Sequence, residues 1–258
     1  LVQWDQRGAG FTFGHNPGTA DSPLQVDQMT RDGIELAAWL GRRFNQKTVI
    51  LMGSSWGSVL GVHMAKARPD LFTAYVGSSQ LLSYRDNSAD SYRKILGAAR
   101  AAGDSKTVTA LEALGAPPWT NPRNFGIARR ASRIFEGKAT TPAPKSWWAP
   151  SGQYASPKAA ADYEAGEDYS FIQFVGMKGD GMYSTVDLPR LGVRFELPVL
   201  IVQGAEDLIT SVDVTRPWFD SLSAPRKEFV LVPMAGHDPN EAMVEAQYKL
   251  VKTLARPR

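Results

Sequence analysis

Residues 48–58 read Thr-Val-Ile-Leu-Met-Gly-Ser-Ser-Trp-Gly-Ser. The first five are β-branched or apolar without a break, as expected of a strand buried on both faces of a parallel sheet. Gly53-Ser54-Ser55-Trp56-Gly57 follows and fits G-x-S-x-G. Val59–Arg68 then reads as a helix that Pro69 helps to end. Strand, sharp glycine turn and helix together hold a serine at the carboxyl end of a sheet on strained backbone. The flanking glycines let strand and helix approach closely. The helix N-terminus aims backbone N–H groups at developing negative charge. The spacing to both glycines selects Ser55 as nucleophile over its neighbour Ser54.

Two more units of the same kind lie further along. Val199–Val202 is an apolar run that enters Gln203-Gly204-Ala205-Glu206-Asp207, and an acid at that place can orient a histidine and stabilise its cationic form. Asp207, three residues past Gly204, is preferred to Glu206, which reads as a solvated loop carboxylate. Phe229–Val232 enters Pro-Met-Ala-Gly-His237-Asp238 and supplies the base. Ser, acid, His is the chain order of the α/β-hydrolase arrangement, so the expected chemistry is nucleophilic acyl transfer. His63 lies eight residues beyond Ser55 on the following helix and reads as a packing or capping residue; His15, in a Gly/Pro-rich loop, is a candidate for the site wall.

Around these units the chain alternates. Leu1–Trp4 reads as a strand, Gln25–Phe44 as an amphipathic helix, Phe72–Gly77 as a strand, and Glu241–Leu254 as a closing helix. Between them, helical stretches such as Ser91–Ala102 and Lys106–Leu114 are separated by Pro- and Trp-rich breaks, with no β-branched run of comparable strength. The expectation is an α/β fold in three parts: residues 1–80 and 191–258 as a mostly parallel sheet flanked by helices, and residues 81–190 as a mostly helical cap.

Composition excludes several classes. Hydrophobic residues are 43% and charged residues 21% of 258, an ordinary globular balance, and no apolar run approaches the ~18 residues of a membrane span. A net charge of +3, carried by basic residues in ones and twos, makes no nucleic-acid footprint. The lack of Cys removes thiolate nucleophiles, disulfides and Cys-based zinc sites; three histidines make a multi-His metal site a poor fit. The composition does not choose between cytoplasm and periplasm. Gly8-Ala-Gly10 is too short for a nucleotide site, Lys178–Gly181 reads as a turn, and no cofactor is expected. A serine at the elbow excludes epoxide and haloalkane hydrolysis, which need a carboxylate there.

Trp-Asp-Gln-Arg-Gly-Ala-Gly (4–10), Gly-Ser-Ser-Trp-Gly-Ser (53–58), Gly-Ala-Glu-Asp (204–207) and Ala-Gly-His-Asp (235–238) together resemble the prolyl aminopeptidase (proline iminopeptidase) branch of the α/β hydrolases. The resemblance runs over residues 1–80 and 191–258 and is weak between them. It implies Ser55 as nucleophile, Asp207 as acid, His237 as base, one oxyanion-hole N–H from Trp56, and Asp5–Gly10 as a structural loop beside the site. In that family a His-Gly-Gly-Pro-Gly loop precedes the strand that opens this chain and supplies a second oxyanion donor. The expectation is that this loop and the family's first strands, about 40–60 residues, are missing here. Losing one donor costs about 10²–10³ in kcat, and a shortened sheet exposes an edge that favours a homo-oligomer.

The family's peptidases bind the substrate's free amino group through acidic residues of the cap, for which Glu112, Glu136, Glu164, Glu167 and Asp168 are candidates. Trp119, Trp147, Trp148, Tyr154 and Phe171 are candidates for an apolar pocket. The expected function is a serine hydrolase releasing N-terminal residues from small peptides. A carboxylesterase acting on small acyl esters is the alternative within that chemistry. A non-catalytic binding module is the alternative from another class.

Overall fold

Four strands, β1 (Val49–Ser54), β2 (Phe72–Ser78), β3 (Val199–Gly204) and β4 (Lys227–Val232), lie side by side in that order, every neighbouring pair parallel. The computed structural model describes residues 1–19 and 23–254; residues 20–22 and 255–258, which belong to the expected core segments 1–80 and 191–258, lie outside them. Register pairs Ser54 with Ser78, Val202 with Ser78, and Gly204 with Val232, so all strands end along one rim. In open parallel sheets that rim is where ligands bind.

Alternation along the strands builds two cores, because successive side chains point to opposite faces. Tyr75, Val199 and Ile201 pack with residues of α2 (Val26–Arg43), α3 (Trp56–Ala67) and α8 (Val212–Ser221) on one face. Ala74, Val76, Leu200 and Val202 pack against Met243 and Leu250 of α9 (Glu241–Leu254) on the other. Between β2 and β3 run α4 (Tyr84–Ala101), α5 (Ser105–Leu114), α6 (Pro122–Ala139) and α7 (Pro157–Val175). Ser83, Asp104, Asn121 and Ser156 cap them through their side chains, and α6 and α7 open on the prolines that suit a first helical position. Ile95, Ala99, Leu111, Ala131 and Phe135 give α4, α5 and α6 a small core of their own. α1 (Gly10–His15) packs on α7. Among the described residues no helix is long and apolar enough to cross a membrane.

Two expectations fail at the sheet edge. Leu1–Trp4 forms no strand, and β1 is not buried on both faces: Met52 is 40% exposed. β1 has a hydrogen-bonded neighbour on one side only among the described residues. Leu1, Val2 and Trp4 lie instead along an apolar groove with Leu36, Leu40 and Ile50, outside the ladder. An apolar run reads alike whether it enters a sheet or lines its edge, so the pattern could not separate the two.

The fit of α3 on β2 depends on Gly61, where an added Cβ would lie 2.5 Å from the ring of fully buried Tyr75. Gly97, on the exposed side of α4, meets nothing within 4 Å. Gly61→Ala should therefore lose about 1–3 kcal/mol by overpacking, whereas Gly97→Ala should gain about 0.5–1 kcal/mol from helix propensity. Urea unfolding midpoints of the two variants should move in opposite directions.

Candidate active site

Ser55 sits between β1 and α3 with φ 50° and ψ −118°, a left-handed conformation that costs a non-glycine residue about 1–3 kcal/mol. Its surroundings hold it there. A Cβ on Gly53 would lie 2.3 Å from the Gly57 carbonyl oxygen, so only glycine lets the strand pass the helix this closely. The Ser55 N–H donates to Ser78 O (3.1 Å), and the Ser58 N–H and hydroxyl both donate to Ser55 O (2.9 and 2.5 Å). Trp56, the first residue of α3, carries a backbone N–H of the kind that lacks an intrahelical acceptor. Its ring meets Phe174 edge-on at 5.4 Å.

The three strand-end residues meet. Ser55 Oγ is 2.9 Å from His237 Nε2, and His237 Nδ1 is 3.2 Å from each Asp207 carboxylate oxygen. A carboxylate only accepts, so the ring proton belongs on Nδ1 and the Nε2 lone pair faces the serine hydroxyl. Asp207 is 2% exposed, but it does not rely on His237 alone. Its carboxylate also accepts from the N–H groups of Ile209 (2.8 Å) and Thr210 (2.7 Å), the Thr210 hydroxyl (2.7 Å) and Gln203 Nε2 (2.9 Å). Burial pushes this carboxyl up, yet the charge on His237 and the hydrogen bonds from His237 and Thr210 outweigh burial and hold it at about 2. Gly204 permits the last approach: a Cβ there would lie 2.4 Å from Gly236 O, on the turn that carries His237.

Two cavities open on Ser55. One, of about 260 Å³, lies between Ser55, His237 and the rings of Trp119, Phe125, Phe174 and Tyr183. The other, of about 530 Å³, is bounded by Ser55, Trp56, the Asp5–Arg7 stretch, Glu167 and Phe171. The 4–10 loop is tied down beside it: Asp5 Oδ2 accepts from the Phe11 N–H (2.9 Å), Arg7 pairs with Asp32 (2.9 Å), and Ser170 Oγ donates to Gly8 O (2.6 Å).

The remaining candidates divide. Glu206 meets the His loop through its backbone N–H, which donates to Ala235 O (2.9 Å). His15 is exposed and bonded to Phe11 O (2.8 Å), and it lines neither cavity. His63 is half-buried on α3, where burial lowers its pKa. Glu112 pairs with Arg100 (2.7 Å), while Glu164 and Asp168 are exposed on α7 and line neither cavity. Glu136 is buried and accepts from the N–H groups of Leu208 (2.7 Å) and His237 (3.4 Å); burial and the nearby Asp207 charge raise its pKa. Only Glu167 of the five acids borders a cavity with Ser55. Of the five aromatics, Trp119 and Phe171 reach a cavity, whereas Trp147 and Trp148 are exposed and Tyr154 packs on Phe11 at 4.7 Å. Phe125, Phe174, Tyr183, Thr210 and Gln203 were not singled out in the sequence. A glutamine inside an otherwise apolar strand was the one available signal among them.

The lowered pKa of Asp207 ties stability to acid. Folded, the carboxyl titrates at about 2; unfolded, near the ordinary ~3.9. Between those values the unfolded chain binds more protons, so this group's stabilisation is complete above about pH 4 and disappears as pH falls toward 2. Asp207→Asn should show a flatter loss of stability than wild type between about pH 5 and 2.5, read as urea midpoints.

The chain is 26% identical to a probable aminopeptidase, YbaC, of Bacillus subtilis, over 99% of this chain and 79% of that protein. Its fold matches the crystal structure of VinJ with a TM-score of 0.60 at 17% identity, covering 97% of this chain and 78% of the other. It matches a thermophilic esterase of Thermogutta terrifontis with a TM-score of 0.53 at 15% identity, covering 91% and 75%. The family model described as serine aminopeptidase, S33, matches residues 1–241. The chain has the α/β-hydrolase fold and belongs to the S33 serine aminopeptidase family.

Proposed function

We propose that the chain is a serine hydrolase that works through an acyl-enzyme on Ser55 and releases N-terminal residues from small peptides, in the manner of the prolyl aminopeptidases that its motifs resemble. The hydrogen-bonded line from Ser55 Oγ through His237 to Asp207 carries this reading. His237 takes the serine proton as Oγ attacks the carbonyl carbon, then delivers it to the leaving amine. Asp207 keeps the ring in the working tautomer and stabilises its charged form. The Trp56 N–H faces the developing oxyanion. Water then repeats the sequence against the acyl-enzyme and frees the acid.

The substrate assignment rests on the family and on the walls of the two cavities. The ring-lined space beside Ser55 and His237 suits a compact apolar residue such as proline. A free amino group needs an anionic partner, and Glu167 borders the second cavity together with Ser55. The apolar character of the first cavity also favours a second reading, a carboxylesterase acting on small acyl esters, which would have no use for the acid.

A fluorophosphonate should label folded protein once, on Ser55, and Ser55→Ala should lose the adduct and at least about 10⁴-fold in turnover. No adduct on folded protein would sink the hydrolase reading in favour of a non-catalytic binding module. Prolyl anilides should be cleaved and their N-acetyl forms refused; Glu167→Gln should raise KM for the free amine about tenfold, a loss near 1.4 kcal/mol. Equal turnover of free and acetylated substrates would establish the esterase reading instead.

A further inference from the structure

Gln203 is the fifth residue of β3 and has no exposed surface. Its side chain is saturated with partners. Nε2 donates to Asp207 Oδ2 (2.9 Å) and to Thr210 O (2.8 Å), while Oε1 accepts from the Gln80 N–H (3.3 Å). Gln80, just past β2, is equally buried. Its Nε2 donates to Ser58 Oγ (3.0 Å) and to Leu81 O (2.9 Å), and its Oε1 accepts from the hydroxyl of Tyr75 (2.7 Å). The Ser58 hydroxyl in turn donates to the backbone carbonyl of Ser55 (2.5 Å). A second buried chain of hydrogen bonds therefore joins Ser55 to Asp207 through the body of the sheet, separate from the one through His237.

We propose that Gln203 is a positioning residue for the hydrolytic site: with Gln80 and Ser58 it fixes the Asp207 carboxylate relative to the Ser55 turn, independently of the histidine between them. The inference rests on the roles given above to Ser55, His237 and Asp207. Its physical basis is that strand register alone sets backbone position, whereas the useful geometry belongs to one carboxylate oxygen. Of the four non-histidine bonds to Asp207, three come from its own turn, Ile209 and Thr210. Only Gln203 ties that carboxylate to the sheet interior and onward to β2 and the elbow. A misplacement of about 1 Å at such a group can cost about 10²-fold in rate.

Two substitutions test this on the whole chain. Gln203→Met keeps the length and removes both polar links. The expected result is a kcat about 10–100-fold lower, with KM within about twofold. Gln203→Glu keeps the shape but brings a second carboxyl against Asp207 Oδ2 and Thr210 O, so it must hold a proton to fit. The titratable groups around this position are Asp207, His237 behind it, the buried Glu136, which accepts from the His237 N–H and is present in wild type and variant alike, and the Tyr75 hydroxyl beyond Gln80, which burial keeps neutral. Rising pH should strip the introduced proton and set two carboxylates together. Its kcat/KM should then fall at alkaline pH while wild type stays level. A glutamine that served packing alone would not split kcat from KM in Gln203→Met.

Wild-type kcat for Gln203→Met together with a wild-type pH profile for Gln203→Glu would overturn the proposal. So would loss of folding in both, if Gln80→Met folds with unchanged kcat, since the network would then serve the core alone. Fluorophosphonate labelling of wild-type Ser55 separates the two levels. Labelled protein with indifferent Gln203 variants sinks only this inference, whereas unlabelled protein sinks the hydrolase reading beneath it.

Discussion

A carboxylate taken wholly out of water is unfavourable unless several donors replace the water it has lost, and the strand ends of this protein are arranged around one such group. Asp207 receives hydrogen bonds from two backbone N–H groups of its own turn, the Thr210 hydroxyl, Gln203 and His237. Each donor comes from a place that the sheet must bring into register: the end of β3, the turn after it, and the turn after β4. The charge cannot be satisfied unless these segments are folded, and the charge in turn orients the His237 ring through Nδ1. Stability and site geometry thus rest on the same bonds.

Backbone proximity is the companion constraint. Gly53 against Gly57, and Gly204 against Gly236, bring main chains together where a single Cβ would collide with a carbonyl oxygen. These contacts set Ser55 on its strained turn and His237 above it. The glycines of the elbow motif and of the Gly-Ala-Glu-Asp turn act through the space they leave empty. Helices between β2 and β3 then close the rim from above, adding rings to one cavity and Glu167 to the other.

How much of this could be read in advance varied with the kind of signal. All four strands of the sheet were visible as apolar runs, because each is short and followed by a turn. The Ser-acid-His order was visible because chain order is sequence information. The wall of the cavity was not. Trp119 and Phe171 reach it but Trp147 and Trp148 do not, and all four read alike as aromatics of the cap. The acids behaved likewise: Glu112 is bound to Arg100, Glu136 is buried under the His loop, and Glu167 borders the cavity, though each is a glutamate on a helix.

Local hydrophobic period, glycine spacing and position along the chain are enough to give the four strands, the elbow and the order of the three polar residues. Tertiary packing sets the rest: among the described residues β1 lies at an edge, Leu1–Trp4 stays out of the ladder, and Gln203 and Thr210 complete the shell of Asp207. The first two depend on which segments become neighbours, whereas Gln203 and Thr210 lie four and three residues from Asp207 and reach its carboxylate because the turn after β3 folds back on the strand end. Edge positions and the aim of a side chain are properties of the folded backbone, which the pattern of residue types does not show.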